Sequence, residues 1–333
     1  MGQGEENKTR EEASVEIQER GEIFLFYRPK VDKEEAHGTE DVQRLYLVLR
    51  PESGERSVEE KQDPHSGKEG AKRQADEDAN QKVEGDGGGH GTQEVNIEKQ
   101  PLLRFIVMGR KTLPDPAKKS TPYWGFVEMV TTEIEHVKSA LKGGEYETAT
   151  RGHRHLPDSR AVGEGVYRIL RHDHPAGKSS RNRHTHLVYK LEFPAEGEQE
   201  EPQEALNITR EASFIIQIKN PEQQQSSSSS SSSSSFRGLQ KKRKASFPAH
   251  LQGLLGNKRF HPADPPDFLN YEGCEFLLIS ASDNIEQELG LELKAEQIHE
   301  GCTLQQAEEC SDLVKTFGES AVPTRPLFKG TWL

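Results

Sequence analysis

Apolar residues in this chain recur in short runs that load both faces of an extended segment. Residues 22–28 (EIFLFYR) set Ile23, Leu25 and Tyr27 on one side and Phe24 and Phe26 on the other, as expected of a strand covered on both faces. Residues 44–50 (RLYLVLR) repeat the pattern and are followed by Pro51, which has no N–H to give a ladder. Further strands are expected at 102–110 (LLRFIVMGR), 123–131 (YWGFVEMVT), near 163, near 184, at 213–219 (SFIIQIK) and at 275–281 (EFLLISA), eight in all. Over 133–141 (EIEHVKSAL) the period changes: Ile134, Val137 and Leu141 fall at helical spacing, with Gly143 and Gly144 to close the helix. The IEQELGLEL run after Asn284 predicts another short helix.

The connections are short or polar rather than helical, which favours antiparallel neighbours over βαβ crossovers. The expected fold is mainly β, an antiparallel sandwich or barrel-like sheet with a few short helices and long disordered insertions. An α+β sheet with helices on one face is the alternative. The organisation read from the pattern is a polar tail at 1–21, one interrupted domain at 22–281, and a helical, frayed C-terminal tail at 282–333. Disordered insertions are expected at 53–98, which holds twelve acidic and six basic residues, and at 223–246, which includes ten consecutive serines.

Composition narrows this picture. With 31% hydrophobic and 30% charged residues, part of the chain lacks the apolar surface to repay ordering. No run approaches the 18 or so apolar residues of a membrane helix, and the acidic start MGQGEENKTREE does not resemble a signal or transit peptide. An intracellular protein without a membrane partner is expected, in nucleus and cytoplasm. Cys274, Cys302 and Cys310 have no C-x-x-C spacing and are expected as reduced thiols, with Cys274 buried.

The net charge of −12 is unevenly spread. Residues 151–190 carry nine Lys/Arg against three Asp/Glu and six of the 13 histidines, and residues 237–259 carry seven Lys/Arg and no acid. The first island holds three H-x-H pairs, His153/His155, His172/His174 and His184/His186, and on a strand each pair shares a face. Leu187, Tyr189, Leu191 and Phe193 form a buried face, which sends His184, His186 and Lys190 outward. A hairpin register that sets His172 opposite His184 brings Arg168 to the same side. The expected anion-binding face is therefore Arg168, His172, Arg181, Arg183, His184, His186 and Lys190. No metal and no cofactor is expected there, because the spacing fixes no further ligand. The AGKSS stretch at 176–180 lacks the first glycine of a phosphate-binding loop, and Gly163–Glu164–Gly165 reads as a strand start or bulge. In the second island Lys241, Lys242, Arg243 and Lys244 form a candidate nuclear-import ligand. Ser246 beside them is a candidate phosphorylation site, where a phosphate would offset their charge.

The stretches EIFLFYRPKVDKEEAH, VQRLYLVLRPESGERSVEEKQ, YWGFVEMVTT and PADPPDFLNYEGCEFLLISASDNIEQELGLEL resemble an uncharacterised plant protein family, some of whose members are automatically labelled BTB/POZ-domain proteins. That label implies an oligomerising adaptor on a helix-rich domain, whereas this sequence reads as scattered strands. The leading functional expectation is a non-enzymatic intracellular binding module for an anionic partner, with nucleic acid as the candidate. A protein-binding adaptor comes second, and a metal-dependent enzyme using the H-x-H pairs third.

Overall fold

The computed structural model describes residues 5–10, 15–54, 56–64, 91–118, 121–173, 183–195, 198–223, 239, 243–294 and 304–333. All eight expected strands are present, and they close on one another. They are β2 (Val15–Pro29), β3 (Val42–Glu52), β6 (Leu103–Met108), β7 (Tyr123–Thr131), β10 (Arg160–Asp173), β11 (Arg183–Phe193), β12 (Glu211–Lys219) and β14 (Glu275–Ser282). The order around the barrel is β2-β3-β6-β7-β14-β12-β11-β10, returning to β2, and every pairing is antiparallel. Two four-stranded meanders thus meet along the β2–β10 and β7–β14 seams. The short β13 (Phe260–Pro262) continues the ladder on the far half of β12.

The two faces of each strand go to different cores, as the alternation requires. Ile23, Leu25 and Tyr27 join Leu47, Tyr189, Phe214 and Phe276 in the barrel interior, with Cys274 at its margin. Phe24 and Phe26 face outward onto a layer of helices. This layer consists of α1 (Ile134–Leu141), α5 (Leu304–Cys310), α6 (Asp312–Phe317) and α7 (Arg325–Lys329), which supply Leu141, Leu313, Phe317 and Leu327 among others. Helix α6 starts where Ser311 Oγ accepts the Val314 amide at 3.1 Å, an ordinary N-cap. Bulges bracket Gly163 and Gly165 on β10. At Gly165 a Cβ would lie 2.1 Å from the Lys190 carbonyl oxygen, so only glycine allows that approach.

Three expectations about the chain's organisation are corrected. The polar tail is not free: β1 (Glu5–Lys8) pairs with β15 (Leu291–Lys294), and β2 begins at Val15 rather than near residue 22. The flanks of the 53–98 insertion form a hairpin of β4 (Val58–Gln62) and β5 (Thr92–Asn96), while residues 65–90 lie outside the described residues. Its strands are held by polar contacts, such as Asn270 Nδ2 to Glu59 Oε2 at 3.0 Å and Tyr271 OH to Glu60 Oε1 at 2.7 Å, and apolar periodicity does not signal these. The C-terminal tail is helical as expected but not frayed. Leu327 and Phe328 are buried, and the Leu333 carbonyl accepts from Tyr27 OH at 3.0 Å. Of the 223–246 insertion, residues 224–238 and 240–242 lie outside the described residues.

Candidate functional site

The β10–β11 register is the one that sets His172 opposite His184, with Arg168 opposite Val188. Arg168, His172, His184, His186 and Lys190 therefore share the side of the sheet that faces away from the barrel interior. Facing away from the barrel does not here mean facing solvent. Helix α4 (Ile285–Leu289) and β15 pack across this side, and Ile285, Leu289, Leu291 and Leu293 cluster with Val15, Leu170 and Val188. The Asn284 side chain caps α4 by accepting from Gln287 N at 2.7 Å, and Gly290 ends it with φ +63°.

This cover corrects the exposed cationic face. Arg168 is 1% exposed, donates from Nε to Glu6 Oε2 at 2.9 Å, and donates to the Tyr167 carbonyl at 2.8 Å. Burial works against the charge on Glu6, but hydrogen bonds from Arg20 and Arg168 outweigh it and hold the carboxyl below its usual range. His186 is 2% exposed. His172, His184 and Lys190 are half-buried. Arg183 pairs through its backbone with Asp173, and Arg181 lies outside the described residues.

The histidines nevertheless come together. The rings of His172 and His186 have centroids 5.5 Å apart. His186 Nδ1 lies 3.0 Å from Ser213 Oγ on β12 and 3.8 Å from Glu288 Oε1 on α4. Burial, followed by the neighbouring His172 and His184, pushes the His186 imidazole down to about 3, so it is neutral at physiological pH. The pair His153/His155 is elsewhere, on β9 (Gly152–Leu156), with nitrogens 3.5 Å from Glu145 and 3.4 Å from Glu34. His174 lies outside the described residues.

Half of the candidate import ligand is docked on the barrel. Arg243 bonds Glu128 at 2.5 Å and lies over Phe126, Lys244 donates to the Pro221 carbonyl at 3.3 Å, and the Ala245 amide donates to the Gly273 carbonyl at 3.1 Å. Ser246 sits half-buried between buried Ala245 and Phe247. Lys241 and Lys242 lie outside the described residues. Arg243 nonetheless remains exposed and Lys244 half-buried.

A carboxylate cluster escaped the sequence reading altogether, because its members lie far apart in the chain. One oxygen each of Glu164, Glu192 and Asp312 lie within 4.8 Å of one another. Buried Glu164 accepts from Ser311 Oγ at 2.6 Å and from the Asp312 amide at 2.5 Å, which ties β10 to the start of α6. Burial, only partly relieved by these bonds, pushes Glu164 up to about 8.

An acid raised above its unfolded value, near 4.3, stabilises the fold fully below that pH. The stabilisation is lost as pH rises toward the folded value. Between pH 6.5 and 8 Glu164 is expected to withdraw stability at a rate that falls from about 1.4 kcal/mol per pH unit to about half that, a window above the range in which His186 titrates. Urea midpoints across this window should fall less steeply in Glu164→Gln than in the parent. Parallel slopes would show that Glu164 is already ionised.

Fold and site together define a closed, all-antiparallel eight-stranded barrel with a helical layer and a covered histidine cluster on its outside. Comparison of the chain with protein-family models, curated proteins and solved structures gives no match. No helix among the described residues is long and apolar enough to cross a membrane.

Proposed function

We propose that this chain is a non-enzymatic binding module that engages a protein partner on the outside of its barrel. The barrel interior is filled by large side chains, including Tyr27, Tyr167, Tyr189, Phe214 and Phe276, which directs recognition to the outer surface. The observation that carries the reading is the hairpin of β8 (Gly144–Thr148) and β9, a two-stranded sheet of its own. Residues 144–147 of β8 are exposed, and Tyr146 keeps 43% of its surface.

Among the described residues the outer edge of β8 pairs with no other strand. Its free N–H and C=O groups can accept an extended segment as a third strand. Glu145 and Glu147 on one face favour cationic side chains in that segment, and Tyr146 on the other offers an aromatic anchor.

Full-length protein presented with extended peptides that alternate Lys/Arg with apolar residues should bind a subset. Tyr146→Ala should weaken that binding by roughly tenfold or more, and charge reversal at Glu145 and Glu147 should weaken it further. No bound peptide, or binding indifferent to these changes, would overturn the reading.

The anionic-partner reading, with nucleic acid as candidate, ranks second. His172, His184 and Lys190 still reach the surface on one face, but Arg168 and His186 are lost to burial. Salt-sensitive binding to duplex DNA or heparin that falls in Lys190→Ala would reverse the order.

A further inference from the structure

His172 and His184 are directly opposed on β10 and β11, and His186 follows two residues along the same face. Two imidazoles bound to one tetrahedral zinc through nitrogens at about 2.0–2.1 Å hold their ring centroids roughly 5 Å apart. The 5.5 Å between the His172 and His186 rings, which meet at 64°, is close to that separation.

His186 adds an independent sign. Its Nδ1 is engaged by Ser213 Oγ with Glu288 behind, whereas its Nε2 is buried and has no hydrogen-bond partner. A histidine serving only the core is expected to satisfy both ring nitrogens. A metal-binding one anchors one nitrogen on a hydroxyl or carboxylate and keeps the lone pair of the other for the ion. Glu288 stands behind Ser213, to which it is hydrogen-bonded, and its second oxygen is buried without a partner.

We infer that His172, His184 and His186 bind a divalent transition-metal ion of borderline softness, Zn²⁺ or its relatives Co²⁺ and Ni²⁺, with Ser213 and Glu288 orienting His186. Three imidazoles suit such ions better than Mg²⁺ or Ca²⁺, which prefer oxygen ligands. Among the described residues, the three donors already mutually within 4.8 Å are those of Glu164, Glu192 and Asp312. Closing the imidazole site requires the half-buried His172 and His184 rings to turn toward Nε2 of His186, His172 exchanging its present contact for the ion. This reverses the expectation of metal-free histidines, which had no means of placing Ser213 and Glu288 behind His186.

The test uses untagged full-length protein stripped with a chelator, titrated with Zn²⁺ by calorimetry and with Co²⁺ by absorption. One equivalent of Zn²⁺ is expected, with a Co²⁺ complex showing the ligand-field bands of a four-coordinate site made of three nitrogens and a solvent oxygen. His172→Ala and His184→Ala should each weaken Zn²⁺ binding by roughly tenfold or more, and Glu288→Gln by about 10- to 100-fold. The double change His153→Ala/His155→Ala should leave it unaltered. Circular dichroism of the metal-free variants establishes that they fold. Glu288→Gln, which leaves all three rings in place, carries the test if a histidine variant does not. Absence of stoichiometric binding to the folded parent would overturn the site. So would binding that survives in the folded variants, or that is lost with His153 and His155.

Discussion

Glu19→Ala is expected to remove about 3–5 kcal/mol of folding free energy, the larger part of what a domain of ordinary stability possesses. The cause is Arg104, whose side chain is fully buried at one end of the barrel interior. Glu19 takes both of its terminal nitrogens, at 2.6 and 2.8 Å, while Arg104 Nε donates to Asn270 Oδ1 at 2.7 Å and Tyr167 OH donates to Glu19 at 2.6 Å. Burial opposes the charge on Arg104, but Glu19 more than restores it and keeps the guanidinium protonated. Without Glu19 that charge stays desolvated and poorly compensated, since Glu59 approaches only to 3.5 Å. Urea denaturation at neutral pH measures the loss. Replacing Glu19 and Arg104 together by methionine should cost less than Glu19→Ala, because no buried charge is left behind. A parent-like midpoint in Glu19→Ala would mean that Arg104 is not held as described.

Phe317→Ala is expected to cost about 3–5 kcal/mol, although the residue lies in a segment that reads as a frayed tail. Its ring is buried and meets Phe24 and Phe26 edge-on, with centroid separations of 5.4 and 6.2 Å. Those two phenylalanines project from β2 away from the barrel interior, so without α6 they would stand against water. The neighbouring anchor points the same way, since Glu164 on β10 grips Ser311 and the Asp312 amide at the start of α6. Exposed Lys329 in α7 serves as the control, and its change to alanine should stay within about 0.5 kcal/mol. Equal, near-zero effects at both positions would return the C-terminal segment to the status of a loose tail.

The histidine region shows how far local pattern reaches. The alternation of Leu187, Tyr189 and Leu191 with His184, His186 and Val188 assigned each to its side of β11, while the register that opposes His172 to His184 is one of several the sequence allows and is settled by the pairing of β10 with β11. What failed was the step from outward to exposed. Leu170 and Val188 lie on the same side as the histidines, and their partners Ile285, Leu289, Leu291 and Leu293 come from more than ninety positions away.

The sequence by itself determined the eight barrel strands, the side taken by residues 22–28 and 184–193, and the short helix α1; of the helix expected over IEQELGLEL only α4 forms, and Leu291–Lys294 is strand β15 instead. Those features follow from period-2 or helical repetition over a few residues, which burial on fixed faces imposes locally. Only the tertiary structure decided that two meanders close along β2–β10 and β7–β14, and that polar strands β4 and β5 are ordered by Asn270 and Tyr271. It also decided that Arg168 is buried against Glu6, and that Ser213 and Glu288 stand behind His186. Each of these rests on a partner distant in sequence. A long-range hydrogen bond or ion pair requires only that two groups meet, and it leaves no periodic trace in the residues between them.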